Sequence, residues 1–306
     1  MTVSPKTVIK PESPHTRVIF QALFVTFLWS TSWVLIKIGL KGNLPPVTFA
    51  GLRYTLAFLC LFTYVTIINR DSLSVIRSLS VKTWLKLILL GVLFYALTQG
   101  AQFVSLASLP AATLTLLLNL TSIIIAIYNT LTGKEQPSLI QWVGIVISVL
   151  GAMVYFLPLA IEKGQVPGLI AGLVGLIANA ASAIYGRHIN SRGDLPPVVV
   201  TTISMGVGGF IMLITGGITQ GFGALNTQQW GIIFWLALVN TAFAFTLWNK
   251  TLQTLTAVES SIINGTMLPQ IAILAWVFLG EPLNAKQIFG MILVGIGTLI
   301  VQLRKR

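Results

Sequence analysis

Residues 106–151 read LASLPAATLTLLLNLTSIIIAIYNTLTGKEQPSLIQWVGIVISVLG, and residues 252–297 read LQTLTAVESSIINGTMLPQIAILAWVFLGEPLNAKQIFGMILVGIG. Slid by 146 positions, the second lies on the first without a gap. Leu106, Leu109 and Ala111 fall on Leu252, Leu255 and Ala257, and Ile125-Ala126-Ile127 falls on Ile271-Ala272-Ile273. Apolar segments align by chance, but here an acid, a glutamine and two glycines also coincide: Glu135, Gln141, Gly144 and Gly151 on Glu281, Gln287, Gly290 and Gly297. A second overlay, at a slightly different shift, puts Leu44-Pro45-Pro46 on Leu195-Pro196-Pro197. The chain is therefore read as an internal duplication.

The duplicated unit is a set of membrane helices. Only 8% of the 306 residues are charged and 55% are hydrophobic, whereas a soluble domain carries about a quarter charged residues. So few charges leave a soluble surface uncovered; lipid accepts that surface instead. Ten apolar segments of spanning length run at about 18–38, 47–69, 84–107, 111–130, 138–160, 167–188, 196–217, 229–250, 257–279 and 284–303. Proline and glycine punctuate them, as at Pro45-Pro46, Pro110, Pro196-Pro197 and Gly280 with Pro282. The expected fold is all-α integral membrane, ten transmembrane helices in two five-helix repeats, 18–160 and 161–306. Residues 1–17, polar and with three prolines, read as a disordered cytoplasmic tail with no cleavable signal pattern.

The net charge of +12 invites a nucleic-acid reading, but the cations sit in alternate loops rather than on one face or tail. With a cytoplasmic N-terminus, fourteen Lys and Arg fall on the cytoplasmic side: Lys6, Lys10, Arg17, Arg70, Arg77, Lys82, Lys86, Lys134, Arg187, Arg192, Lys250, Arg304, Lys305 and Arg306. Three fall opposite, Lys41, Lys163 and Lys286. That is the positive-inside pattern; with an even number of spans it places both termini in the cytoplasm of a cell-membrane protein. Five spans per repeat is odd, so the second copy enters the membrane inverted. Inverted repeats recur in secondary transporters because two near-equivalent halves can pack in two mirror-related ways, one opening a central site inward and the other outward.

The sequence resembles the drug/metabolite transporter superfamily and, within it, the EamA-type permeases. Trp29-Ser30-Thr31-Ser32-Trp33 with Lys37 resembles the first-span pattern, and Pro46 with Arg53 the second-span arginine pattern. Leu247-Trp248-Asn249-Lys250, Pro269, Leu279-Gly280-Glu281-Pro282 and Gln287 to Gly290 resemble the end of a repeat. The first copy departs from it: Ile123 stands opposite Pro269, and Gly133-Lys134-Glu135 interrupts the Gly-Glu pair, so the two halves are not expected to move equally. The resemblance covers nearly the whole chain after Arg17 and implies export of amino acids, metabolites or drugs.

Polar groups inside the spans are the candidate solute contacts, because intramembrane charge is costly and usually functional. Arg53, about two turns into its span, either attracts an anionic solute group or anchors carbonyls. Lys37 either faces a cavity or snorkels to the interface. Glu259 is the proton-coupling candidate; the alternative is a carboxylate favoured by a helix N-terminus. The uncharged candidates are Trp29, Ser30 and Trp33; Tyr95, Gln99 and Gln102; Asn119; Asn179 and Tyr185; Asn240 and Trp248; and Asn264. Each has interhelical hydrogen bonding as its alternative role, and the glycines, as at Gly168, Gly172 and Gly175, have helix packing. Pro269 either breaks its helix or makes a packed kink.

Other classes find little support. Two histidines, His15 and His188, without an HExxH pattern, and a single cysteine, Cys60, leave no metal or nucleophile constellation. No Walker-type loop points to ATP, and no ring of charge to a channel. The expected partners are a small-molecule solute and the lipid bilayer, with no cofactor or nucleic acid and with monomer or homodimer left open.

Overall fold

A computed structural model of the protein describes residues 15–41, 44–132, 138–157, 162–190, 195–251, 254–255 and 263–302. Twelve helices are used below: α1 (His15–Lys41), α2 (Pro46–Ile67), α3 (Arg70–Ser78), α4 (Val81–Ser108), α5 (Ala111–Asn119), α6 (Thr121–Leu131), α7 (Leu139–Phe156), α8 (Val166–Asn190), α9 (Pro197–Thr219), α10 (Thr227–Trp248), α11 (Met267–Leu279) and α12 (Ala285–Gln302). Among the described residues there is no strand. This is the architecture lipid imposes, since backbone polar groups there must be satisfied within each segment.

Eight helices are long and apolar enough to cross a membrane, α5 and α6 counting as one; Ile263–Leu279 and Ala285–Ile300 are shorter apolar helices. Of the ten expected spans, eight meet that length, and the ninth and tenth are described as the two shorter apolar helices, the ninth from residue 263 onward. The first helix is already formed at His15, the first described residue, ahead of the apolar segment that the sequence pattern marks from about 18. The connection at 70–83 holds an unexpected element, α3, capped by Asn69 Oδ1 accepting from the Ser72 N–H at 3.3 Å. Large apolar side chains such as Ile177 (64% exposed) and Phe278 (65%) stud the outer surface, as a lipid-facing wall requires.

Several helix pairs meet backbone to backbone, and two of them join equivalent helices of the two repeats. Between α7 and α12, a Cβ on Gly144 would lie 2.7 Å from the Gly297 carbonyl oxygen, and one on Gly151 2.8 Å from that of Gly290. The early residue of one helix meets the late residue of the other, so the helices run antiparallel. Because Gly144 is equivalent to Gly290 and Gly151 to Gly297 in the overlay, the contact is self-complementary about a pseudo-two-fold axis. Between α2 and α9, Gly51 meets Leu213, Gly209 meets Thr55 and Gly216 meets Thr48, again antiparallel. Equivalent helices running in opposite directions are the structural expression of an inverted duplication.

The duplication extends to irregularities. The widened π-turn Gly91–Gln99 in α4 overlays Leu238–Phe243 in α10 within the same 146-residue shift. The break between α5 and α6 falls at Leu120, whose N–H bonds the Leu117 carbonyl at 3.1 Å; the break before α11 falls at the equivalent Thr266, whose N–H bonds the Ile263 carbonyl at 3.1 Å. Pro269 sits in the first turn after its break and gives no N–H to the Gly265 carbonyl four residues back. The first copy has Ile123 there and breaks all the same.

The glycine contacts make a stability prediction. Gly151→Leu should destabilise the detergent-solubilised protein by about 1–3 kcal/mol through overpacking, read as a fall in the thermal unfolding midpoint. Gly231→Leu, where a Cβ meets nothing within 4 Å, should leave the midpoint in place.

Candidate functional site

Between the repeats lies a cavity of about 420 Å³. From α1 come Trp29, Ser32 and Trp33, and from α2 Arg53 and Tyr54. Phe94, Thr98, Gln99 and Gln102 of α4 form one flank, with Asn179 and Ala183 of α8 and Phe245 of α10. The two helix breaks supply much of the rest: Thr115, Leu118, Asn119, Thr121 and Ile125 around one, Asn264, Gly265, Met267 and Ile271 around the other, with Thr298 of α12 nearby. Among the described residues the wall holds no Asp or Glu.

Arg53 is the charge in this wall. It is 3% exposed. Its Nε donates to Thr241 Oγ1 at 2.8 Å, and the Thr241 hydroxyl donates to the Leu236 carbonyl at 2.8 Å, five residues back across the π-turn of α10. The widened turn therefore holds the threonine that holds the arginine. The guanidinium lies 5.1 Å from the Tyr54 ring centroid and 5.9 Å from that of Phe103, within cation–π range. The Tyr54 hydroxyl donates to Gln99 Oε1 at 2.8 Å. Trp29 packs on Phe245 at 5.0 Å and Trp248 at 5.2 Å between ring centroids, and its indole N–H is buried with no hydrogen-bond partner among the described residues. Asn119 Nδ2 donates to the Thr115 carbonyl at 2.9 Å, and Asn179 Nδ2 to Thr121 Oγ1 at 3.0 Å.

Of the sequence candidates, Trp29, Trp33, Arg53, Gln99, Gln102, Asn119, Asn179 and Asn264 line this cavity. Others tie helices together outside its wall. Ser30 Oγ lies 2.8 Å from both the Thr26 carbonyl and Gln270 Oε1, joining α1 to α11. Asn240 Nδ2 donates to the Leu28 carbonyl and to Thr31 Oγ1, joining α10 to α1. Tyr95 is buried against Tyr54 and Phe94, Tyr185 packs against the separate apolar cluster that holds Leu87 and Val199, and Trp248 backs Trp29. Glu259 lies outside the described residues. Sequence reasoning missed Tyr54, Phe94 and Phe245, aromatic residues with no polar signal beyond their nearness to Arg53, Tyr95 and Trp248.

Lys37 neither lines the cavity nor extends freely to an interface. Its Nζ lies 3.3 Å from Glu281 Oε1, at side-chain exposures of 17% and 15%, and donates to the Leu109 carbonyl at 2.7 Å. Glu281 Oε2 accepts from the Ala111 N–H at 2.8 Å, so a carboxylate from one repeat caps the N-terminus of α5 in the other, where the helix dipole favours negative charge. The Oε1 contact is an ion pair without hydrogen-bond geometry. Gly280, in the left-handed region at φ 66°, ends α11 and lets the chain turn there. This clasp joins the end of α1, the α4–α5 turn and the end of α11. A larger groove of about 740 Å³ beside α11 and α12, lined by residues such as Pro269, Trp276, Ile288 and Ile292, is almost wholly apolar and belongs to the lipid-facing surface; it meets the cavity at Asn119, Gly265 and Thr298.

A model of the EamA-like transporter family matches residues 16–157 and 166–303, one match for each repeat. The chain belongs to the EamA-like transporter family. It is similar to the uncharacterized transporter YvbV of Bacillus subtilis (strain 168), at 25% identity over 96% of this chain and 94% of that one. It is also 25% identical to a "Probable amino-acid metabolite efflux pump" of Salmonella typhimurium, over 92% of this chain and 93% of that one. An S-adenosylmethionine/S-adenosylhomocysteine transporter of Chlamydia trachomatis serovar D is 22% identical over 92% and 88%. A solved crystal structure superposes with a TM-score of 0.66 at 17% identity, covering 94% of this chain and 97% of that one, and shares the fold. This is thus a multi-pass membrane protein of a transporter family, and the cavity lies between the two EamA-like repeats.

The clasp predicts coupling between two residues far apart in sequence. Lys37→Met and Glu281→Gln should each lower stability, and the double variant should lose less than their sum. A double-mutant cycle on the unfolding free energy in detergent should give about 1–3 kcal/mol; a value indistinguishable from zero would remove the clasp as an energetic link.

Proposed function

We propose that this protein is a secondary transporter that exports amino acids or other small metabolites or drugs across the cell membrane by alternating access. The observation that carries the reading is the position of the cavity: it lies between inverted repeats, at paired helix breaks, with a clasp beyond one end. Broken helices at a repeat interface are where transporters bind solute, because kinked backbone presents polar groups without lipid exposure. Relatives named for amino-acid metabolite efflux and for S-adenosylmethionine transport support small metabolites as the cargo class.

The positive-inside bias supports a topology with both termini in the cytoplasm, in which Ile263–Leu279 and Ala285–Ile300 would complete ten crossings. On that topology the clasp of Lys37, Glu281, Leu109 and Ala111 is extracellular. Asn264, Ile125 and Ala183 lie towards the cytoplasmic ends of their helices. The conformation is then inward-facing, closed outside by an ion pair. Solute contact falls to Trp29, Trp33, Arg53, Gln99, Gln102, Asn119, Asn179 and Asn264, and Glu259 remains the proton-coupling candidate.

Two measurements test this. In a Cys60→Ala background, a cysteine placed by Asn264→Cys should react with an impermeant maleimide in inside-out but not right-side-out vesicles. One placed by Gln102→Cys should gain labelling from outside when Lys37→Met is added; no gain would sink the clasp as an outer closure. In liposomes, solute flux should respond to an imposed pH gradient in the wild type and lose that response in Glu259→Gln. Undiminished gradient-driven flux in the variant would remove Glu259 as the carrier.

A further inference from the structure

We infer that the solute carries a single anionic head group of carboxylate type, docked on Arg53, with an apolar or aromatic body against the surrounding rings; calling it a cargo rests on the transporter reading above. A buried charge is tolerated when it is paired. Lys37 has Glu281. Arg53, more deeply buried, has no carboxylate among the described residues. Its one hydrogen bond to a described residue uses Nε, which leaves the Nη groups without a described partner in a side chain that lines the cavity. A guanidinium with its outer donors unused presents the fork that matches a carboxylate.

Two further groups point the same way. The Trp29 indole N–H and the Thr115 hydroxyl are buried without partners among the described residues, in side chains of residues that line the same cavity. Trp29 offers only a donor, suited to an oxygen of the solute. The wall offers an ammonium group no counter-ion among the described residues, and a single cation suits a monoanion better than a dianion. A space of about 420 Å³ is in the range that holds small organic ligands, and Trp33, Tyr54, Phe94 and Phe245 supply faces for an apolar body.

The test uses full-length protein in nanodiscs and four probes that differ in the head group: 3-phenylpropionate, 3-phenylpropanamide, 3-phenylpropylamine and phenylalanine. Binding is read from intrinsic tryptophan fluorescence, which Trp29 and Trp33 report from the cavity. The carboxylate should bind about ten-fold more tightly than the amide, ahead of the zwitterion and the amine. Arg53→Gln should bring the carboxylate-to-amide ratio to about one, and Arg53→Lys should restore part of it. Tightest binding by the amine or zwitterion, or a preference that survives Arg53→Gln, would overturn the inference. So would sodium chloride alone reproducing the signal with the same Arg53 dependence, which would mark a site for inorganic anions only. Should Arg53→Gln fail to fold, the wild-type ranking still decides, together with Thr241→Val, which keeps the charge but releases Nε and should reduce the preference. Head-group preference without liposome flux would sink the transporter reading and leave the anion site; flux without preference would sink the anion site alone.

Discussion

No Cβ fits between α7 and α12 at Gly144 or Gly151, nor between α2 and α9 at Gly51, Gly209 or Gly216. In lipid there is little hydrophobic force to press one apolar helix on another, so association depends on close contact, and only small residues allow backbones this near. The contacts are antiparallel and, in α7 and α12, link residues that are equivalent in the duplication. That fixes the pseudo-two-fold relation of the halves. The same relation sets the break at Leu120 across from the break at Thr266, and the cavity forms where the two kinked segments face each other.

The duplication, the apolar segments and the small-residue packing were legible in the sequence because each is periodic, and periodicity survives in one dimension. Which polar residues face the cavity was far less legible. Asn240 and Asn264 look alike in sequence, yet one is fully buried between α10 and α1 and the other lines the cavity. Ser30 and Trp29 are neighbours, and only the indole reaches the wall. The distinguishing fact in each case is a partner on another helix, which no local pattern encodes. Glu281 stood out in the overlay, but its role depends on Lys37 and Ala111, brought to it only by the packing of the two halves.

The missing proline was the most misleading signal. Ile123 in place of a proline set the first copy apart from the second, but the helix breaks at the equivalent residue. In the second copy the cause is covalent, since Pro269 has no N–H to give. In the first the break is flanked by polar side chains: Asn119 donates to the Thr115 carbonyl, and Thr121 accepts from Asn179. Side chains that bond nearby carbonyls compete with regular helix geometry. The fold therefore keeps the kink while its chemistry differs between copies, so the constraint lies in the shape of the cavity rather than in any one residue type.

The two intramembrane cations divide the electrostatic demands of the molecule. Lys37 is satisfied from within, by a carboxylate that also caps a helix; separating that pair is tolerable only where water reaches both partners, which ties the clasp to the end of the bundle rather than its middle. Arg53 sits deeper and is held by a neutral hydroxyl and two aromatic faces, none of which cancels its charge. An internal carboxylate at that point would satisfy the arginine permanently and leave the cavity nothing to recognise. No carboxylate among the described residues pairs with it, and on the anion-site inference a bound anion supplies that missing partner, which is the difference in free energy such a site would use to select its ligand.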